Sequence, residues 1–213
     1  MDKITCRTHL INSLIQKYNF KNYLEIGVRH PYQNFSAINI EHKDGVDPEP
    51  QYNSSRGDRG DEINYPVTSD KFFELIKGHD EIKYDIIFID GLHLMEQVDK
   101  DIENSLNHLV DGGVIVMHDC NPIQKIHQRE DYAPLYGLWN GTVWKSWAKL
   151  RCTRSDLEMF VVNMDHGCGV IKKGKQEVWD KDPVEECIEY EYLDKHRFEL
   201  LNLIDVKTFR SML

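Results

Sequence analysis

Between Tyr84 and Asn121 the chain runs twice from an unbroken apolar segment into polar residues. The first run, Tyr84-Asp85-Ile86-Ile87-Phe88-Ile89, stops at Asp90-Gly91-Leu92-His93. The second, Gly113-Val114-Ile115-Val116-Met117, stops at His118-Asp119-Cys120-Asn121. Runs of this kind read as buried parallel strands that carry their polar groups at the C-terminal end. Between them Val98, Ile102, Leu106 and Leu109 recur along one helical face. Gly112 and Gly113 are expected to end that helix, because glycine takes positive φ without strain. The stretch is therefore a β-α-β unit, and a parallel crossover is almost always right-handed. Asp90, His93, His118 and Asp119 are expected to converge at one sheet edge, where open α/β sheets bind ligands.

The rest of the chain repeats this alternation. Leu10, Ile11, Leu14, Ile15 and Tyr18 give residues 5–19 the spacing of a surface helix. Tyr23-Leu24-Glu25-Ile26-Gly27-Val28 is a short strand broken by a glycine, and Pro31 forces a loop after it. A turn of helix is expected near Asn34. A second strand ends at Gly45-Val46-Asp47-Pro48. Asp47 lies about 20 residues past the Gly27 turn, the spacing at which nucleotide-binding α/β domains place a ribose-binding acid. A carboxylate suits that task because it accepts from both vicinal hydroxyls; the alternative is an ordinary aspartate at a strand end. Residues 49–62 are polar and read as a loop. Ile63 to Thr68 reads as an edge strand interrupted by Pro66. Ser69 is the expected N-cap of a helix that Gly78 ends, with capping the plain role for both Ser69 and Asp70.

Residues 122–156 do not read as a further β-α unit. They hold His127, Tyr132, Tyr136, Trp139, Trp144 and Trp147, and lie next to the polar end of the second apolar run. Two readings stand: a lid and acceptor pocket, or a core formed by Trp144, Trp147 and Leu150 at helical spacing. Leu157–Val162 and Cys168–Ile171 flank a turn and predict an antiparallel hairpin. His166 and Cys168 lack the partners of a zinc site. Residues 183–213 read as helical.

Composition excludes several classes of function. The 213 residues suit a single domain, 1–213. A net charge of −10 argues against nucleic acid and anionic membrane surfaces, which need a basic face. No apolar run approaches the roughly 20 residues of a membrane span, and Met1 to Arg7 hold no signal-peptide core. Five widely spaced cysteines without a C-x-x-C pair point to reduced thiols in a cytoplasmic protein. A homo-oligomer is compatible with all of this.

Five segments carry a resemblance: Leu24-Glu25-Ile26-Gly27, Gly45-Val46-Asp47-Pro48, Thr68-Ser69-Asp70, Ile89-Asp90-Gly91-Leu92-His93 and Gly113-Val114-Ile115-Val116-Met117-His118-Asp119. In this order and spacing the chain resembles a class I S-adenosylmethionine-dependent methyltransferase, within a bacterial family that bears an Asp-Gly-x-His motif after the fourth strand. The resemblance implies an α/β, Rossmann-like, doubly wound sheet of seven mostly parallel strands with one antiparallel strand. It implies S-adenosylmethionine as cofactor. Glu25 and Gly27 would border its methionine part, with Asn34 a candidate for the carboxylate. Asp47 would hold the ribose, Ser69 and Asp70 would lie near the adenine, and Asp90 with Gly91 would complete the cofactor site.

Methyl transfer from a sulfonium is an in-line displacement that needs alignment and, for a hydroxyl acceptor, proton removal. His93 is the leading general base, since an unperturbed histidine pKa of about 6.5 suits proton abstraction near neutrality. Asp90 and Asp119 are its expected catalytic partners. Some relatives of this pattern are magnesium-dependent sugar O-methyltransferases. By position their ligands would be Asp90, His118 and Asp119, and Asn121 offers a further oxygen. A histidine at position 118 disfavours magnesium, which prefers oxygen, and suits manganese better. Without a metal, His118 is itself a candidate base, and Asp119 would orient it or His93. The expected activity is O-methylation of a small polar acceptor such as a sugar or polysaccharide precursor. Methylation of nitrogen, of a carboxylate or of a phosphate-type oxygen remains open, as do a nicotinamide dehydrogenase and a non-catalytic cofactor-binding subunit.

Overall fold

The computed structural model describes residues 3–58 and 62–213. The chain forms a Rossmann-like α/β fold whose seven strands make a mixed sheet. It divides into two compact units, residues 1–92 with 100–116, and residues 93–99 with 117–213.

The first unit begins with α1 (Arg7–Tyr18), which buries Leu10, Ile11, Leu14 and Ile15 and ends at Asn19 in the left-handed region. Strands β1 (Asn22–Ile26), β2 (His42–Val46) and β3 (Tyr84–Ile89) follow, and β4 (Leu109–Met117) completes the local order β2-β1-β3-β4. β1 pairs in parallel with both β2 and β3, with Glu25 opposite Gly45 and Phe88. Leu24, Ile26, Ile86, Ile87 and Phe88 are buried, as continuous apolar runs predict for parallel strands. Two single turns of 3₁₀ helix, Pro31–Gln33 and Phe35–Ala37, occupy the region where a helical turn was expected near Asn34.

Three expectations are corrected here. Gly112 and Gly113 do not end a helix. The helix α3 (Met95–His108) stops earlier, and both glycines lie inside β4, with Leu109 its first residue. Ile63 to Thr68 forms no strand, only a single parallel bridge from Tyr65 to Val46, because Pro66 interrupts the ladder at once. The N-cap of α2 (Ser69–Leu75) is Thr68, whose hydroxyl accepts the Lys71 N–H at 3.2 Å, so Ser69 is already helical. Of the polar loop 49–62, residues 59–61 lie outside the described residues.

The second unit contains α4 (Val143–Thr153), β5 (Leu157–Val162), β6 (Cys168–Lys173), α5 (Val184–Cys187), α6 (Tyr190–Leu200), β7 (Leu203–Ile204) and α7 (Val206–Met212). β5 and β6 form the expected antiparallel hairpin. β7 pairs in parallel on the other side of β5, within the stretch expected to be wholly helical. Two residues are too few to show a strand period. Residues 122–156 divide between a buried and an exposed part. Trp144 and Trp147 are fully buried on α4, while Tyr132, Leu135 and Tyr136 are exposed on the segment before it. Among the described residues no helix is long and apolar enough to cross a membrane.

Candidate active site

In the first unit, three strand ends are knitted together by the backbone. Gly27 N–H donates to Val46 O at 2.8 Å, and Asp90 N–H donates to Ile26 O at 2.9 Å. Gly27 has φ +86°, and a Cβ there would collide with the Asp90 carbonyl and Gly91 Cα. Only glycine lets the turn after β1 lie this close to the end of β3. The result is a tight backbone junction between the ends of β1 and β3.

Asp47 follows β2 and is buried. Its Oδ2 accepts the Arg29 N–H at 2.7 Å and its Oδ1 accepts the Glu49 N–H at 2.8 Å. Each oxygen keeps a second lone pair, so the carboxylate is aimed and still able to accept. Glu25 is fully buried and accepts from Tyr23 Oη at 2.5 Å and Asn34 Nδ2 at 2.9 Å. Asn34 Oδ1 in turn accepts from Thr8 Oγ1 at 2.7 Å. Burial pushes the Glu25 carboxyl up to about 8, against the two hydrogen bonds, which favour the anion. Burial beside Glu25 also raises the Tyr23 phenol well above its ordinary range. Arg7 Nε stands 3.8 Å from Asp90 Oδ2. Ser69 begins α2, and the exposed Asp70 pairs with Lys100 at 3.2 Å.

In the second unit a buried aspartate gathers three histidines. Asp119 Oδ2 lies 2.9 Å from His118 Nδ1 and 3.4 Å from His93 Nδ1, and its Oδ1 lies 3.9 Å from His166 Nδ1. His118 Nε2 faces Asp165 Oδ1 at 3.6 Å. His118 thus has a carboxylate at each nitrogen, whereas His93 meets Asp119 through Nδ1. His93, Asp119, Asp165 and His166 all have positive φ, a region uncommon for non-glycine residues, though Asp and His enter it more readily than most.

Residues before α4 hold His93 in place. Its carbonyl accepts the Thr142 N–H at 2.8 Å, and a Cβ on Gly141 would collide with that same carbonyl. Its ring stacks on Trp139, centroids 4.6 Å apart and planes 15° from parallel. Trp139 Nε1–H donates to Arg129 O at 2.7 Å, and Tyr132 meets the tryptophan edge-on at 5.5 Å. The Arg129 guanidinium donates to the carbonyls of Ile126, Ala133, Gly137 and Leu138, which ties this segment into a clasp.

Several candidates are otherwise engaged. Asn121 Oδ1 accepts from Arg197 Nη1 at 2.7 Å, and its Nδ2 donates to Asn163 at 3.2 Å. Cys120 is buried and its thiol pKa is raised by that burial, the opposite of what a nucleophile needs. His166 Nδ1 stands 3.9 Å from Asp119 Oδ1, and Cys168 is buried at the start of β6. Asp165 and Arg7 are the components that the sequence did not single out, while His166 enters the sequence reading only beside Cys168, as half of a zinc pair that lacks partners. An acid in a hairpin turn was the only signal for Asp165, and Arg7 gave none.

Residues 24–120 match the family model described as "Methyltransferase domain". Over residues 24–120 the chain is similar to that family, and S-adenosylmethionine-dependent methyl transfer is the activity the comparisons support. This sets aside the nicotinamide dehydrogenase alternative. Similar solved structures include a putative caffeoyl-CoA O-methyltransferase from Staphylococcus aureus, 18% identical with a TM-score of 0.54, over 82% of this chain and 85% of that one. The methyltransferase PaMTH1 of Podospora anserina, solved with S-adenosylhomocysteine, is 14% identical with a TM-score of 0.54, over 79% and 78%. The O-methyltransferase TomG of Streptomyces achromogenes is 13% identical with a TM-score of 0.51, over 78% of each chain. At these identities the likeness is one of fold. No curated protein sequence matches the chain.

Proposed function

We propose that the protein methylates an oxygen of a small polar acceptor, with His93 as general base. The observation that carries this reading is the His93 Nδ1 to Asp119 Oδ2 approach of 3.4 Å at a buried carboxylate. An aspartate at Nδ1 fixes the ring tautomer and leaves Nε2 as the basic nitrogen. His118, with a carboxylate at each nitrogen, is the poorer base and the better brace for Asp119.

S-adenosylmethionine supplies the electrophilic methyl group when bound. The chain's own features fit it: Gly27 lets the turn after β1 close onto the Asp90-Gly91 backbone, and Asp47 offers a fixed acceptor for a ribose diol. Ser69 and Asp70 remain the proposed neighbours of the adenine, and Glu25, Asn34 and Gly91 support the methionine end.

The acceptor we favour is a sugar hydroxyl, as in a polysaccharide precursor. Its support is the Asp-Gly-x-His resemblance, together with the half-buried Trp139 and exposed Tyr132, rings suited to stacking on a sugar. Two proteins of similar fold, a putative caffeoyl-CoA O-methyltransferase and an O-methyltransferase of tomaymycin synthesis, agree with transfer to oxygen.

Magnesium does not fit the residues present. It takes near-octahedral oxygen ligands, whereas position 118 is a histidine, Asp119 faces imidazoles on both oxygens, and Asp90 has a guanidinium beside it. A mixed set of Asp90, His118 and Asp119 suits manganese better, but proton removal by His93 needs no ion and we route no step through one.

Calorimetric titration with S-adenosylhomocysteine tests the cofactor half. Micromolar binding that is lost in Asp47→Ala supports it, and no binding to the wild type would sink it. A screen of sugar and nucleotide-sugar acceptors with labelled methyl donor then tests the acceptor class.

A further inference from the structure

Arg7 is the first residue of α1, and nothing in the methyl-transfer chemistry described above uses it. Its side chain is 20% exposed and that of Asp90 is 16% exposed, so the pair is neither sealed in the core nor free in solvent. Asp90 is bonded to Ile26 through its N–H and packs through its carbonyl against Gly27. The Arg7–Asp90 pair therefore stands beside the bare turn after β1. Both charges are also felt at Glu25, where Arg7 favours the anion and Asp90 opposes it.

A ligand with an amino-acid end is a zwitterion at neutral pH. Its complement is one cation and one anion a few ångströms apart, and Arg7 with Asp90 at 3.8 Å is such a pair. A guanidinium binds a carboxylate through two parallel N–H bonds, and a carboxylate accepts from an ammonium. Other groups near the turn are committed. Lys43 Nζ donates to Phe35 O and Ile38 O at 2.7 and 3.3 Å. Arg29 places its backbone on Asp47 and its side chain in solvent. Asn34 donates to Glu25 and Tyr23 and accepts from Thr8, so its amide faces inward.

We propose that Arg7 binds the α-carboxylate of the cofactor's methionine part, with Asp90 receiving the α-ammonium. The assignment rests on the S-adenosylmethionine reading of the first unit, and it makes α1 part of the cofactor site as well as a packing element. A glycine-poor loop after β1 then needs no further backbone nest, because a side chain from α1 supplies the positive charge.

The test compares two ligands that differ in the amino-acid end. S-adenosylhomocysteine carries it; 5′-methylthioadenosine keeps the adenosine and thioether without it. Both are titrated calorimetrically into the wild type, Arg7→Gln and Arg7→Lys. Arg7→Gln should weaken S-adenosylhomocysteine at least about tenfold, the usual scale for a charge-assisted fork, and change 5′-methylthioadenosine by no more than about twofold. Arg7→Lys, a point charge without the fork, should fall between. Equal weakening of both ligands, or no weakening of either, overturns the assignment. If Arg7→Gln does not fold, the same contrast in Arg7→Lys decides. A wild type that binds neither ligand removes the cofactor reading itself, whereas a wild type that binds S-adenosylhomocysteine no better than Arg7→Gln removes only the role of Arg7.

Discussion

Trp139 lies face to face with His93, 4.6 Å between ring centroids and 15° from parallel. The tryptophan is itself pinned by its indole N–H to Arg129 O. It therefore fixes the plane of the imidazole, while Asp119 fixes the rotation of the ring within that plane. Stacked aromatic pairs contribute about 0.5–1.5 kcal/mol beyond burial, enough to narrow a side chain to one orientation. Trp139→Leu should release it. The Cε1–H resonance of His93, shifted upfield by the indole in the wild type, should return toward the ordinary histidine position. An unchanged resonance would mean that the stack does not persist in solution.

The dyad of His93 and Asp119 makes a kinetic prediction. General base catalysis contributes about 10²–10⁴-fold. On an acceptor identified by screening, His93→Gln should lower kcat on that scale and leave the affinity for S-adenosylhomocysteine within about twofold. Asp119→Asn should also lower kcat. The double variant should lose little more than the worse single one, because residues acting as a unit are not additive. Additive losses would separate Asp119 from the base.

How much of this site was legible is clearest at particular residues. Asp47 follows the mostly polar strand His42–Val46 and was legible from its spacing past Gly27, whereas Asp90 and Asp119 closely follow strands whose apolar runs break abruptly. Gly27 was legible for the same reason. Leu109 misled, because it continues the helical spacing of Val98, Ile102 and Leu106 yet opens β4. Gly113 is required there for space, since a Cβ would press within 2.9 Å of the Asp85 carbonyl oxygen. The positive φ of Asp165 and His166 suits a hairpin turn, but their approach to His118 and Asp119 is a tertiary effect that the turn does not announce. Arg7 is separated from Asp90 by most of the first unit's sequence, and only the folded chain brings them to 3.8 Å.

Glu25 predicts a pH dependence of stability. Its folded pKa of about 8 stands above the unfolded value, so the folded state holds the proton more tightly. That contribution is complete below the unfolded carboxylate pKa and is lost as pH rises through about 8. Glu25→Gln removes the titration while keeping the shape. The difference in stability between wild type and Glu25→Gln, followed by chemical denaturation, should therefore tilt against the wild type from about pH 5 to 8 and then level off. A flat difference across that window would place the Glu25 proton elsewhere.

Gly27→Ala should be costly in both stability and binding. The residue sits at φ +86°, and the added methyl meets the Asp90 carbonyl, a backbone atom that cannot swing aside. A positive φ alone costs about 1–2 kcal/mol for an L residue, and the overlap adds to it. A fall in unfolding free energy of at least about 2 kcal/mol is expected, with loss of S-adenosylhomocysteine binding in whatever fraction remains folded. Gly57 offers the control. It too has positive φ, but nothing lies within 4 Å of its Cβ position, so Gly57→Ala should pay the strain and retain binding.

The ion is the last prediction. Asp119 meets imidazoles at 2.9, 3.4 and 3.9 Å, and Asp90 meets a guanidinium. For a cation to enter, it must displace the imidazoles that face Asp119, and Arg7 must yield at Asp90. Each step opposes binding, and magnesium gains least because imidazole is a poor ligand for it. A native-state ligand raises stability by RT ln(1 + [L]/Kd), so thermal melting reads the outcome without an acceptor. Magnesium at about 5 mM should move the midpoint by less than about 1 °C, and a chelator should leave turnover within about twofold once an acceptor is known. A rise with manganese that magnesium does not reproduce would install the mixed set of Asp90, His118 and Asp119 as ligands. Loss of turnover on chelation, restored by magnesium, would overturn the reading that His93 removes the proton unaided.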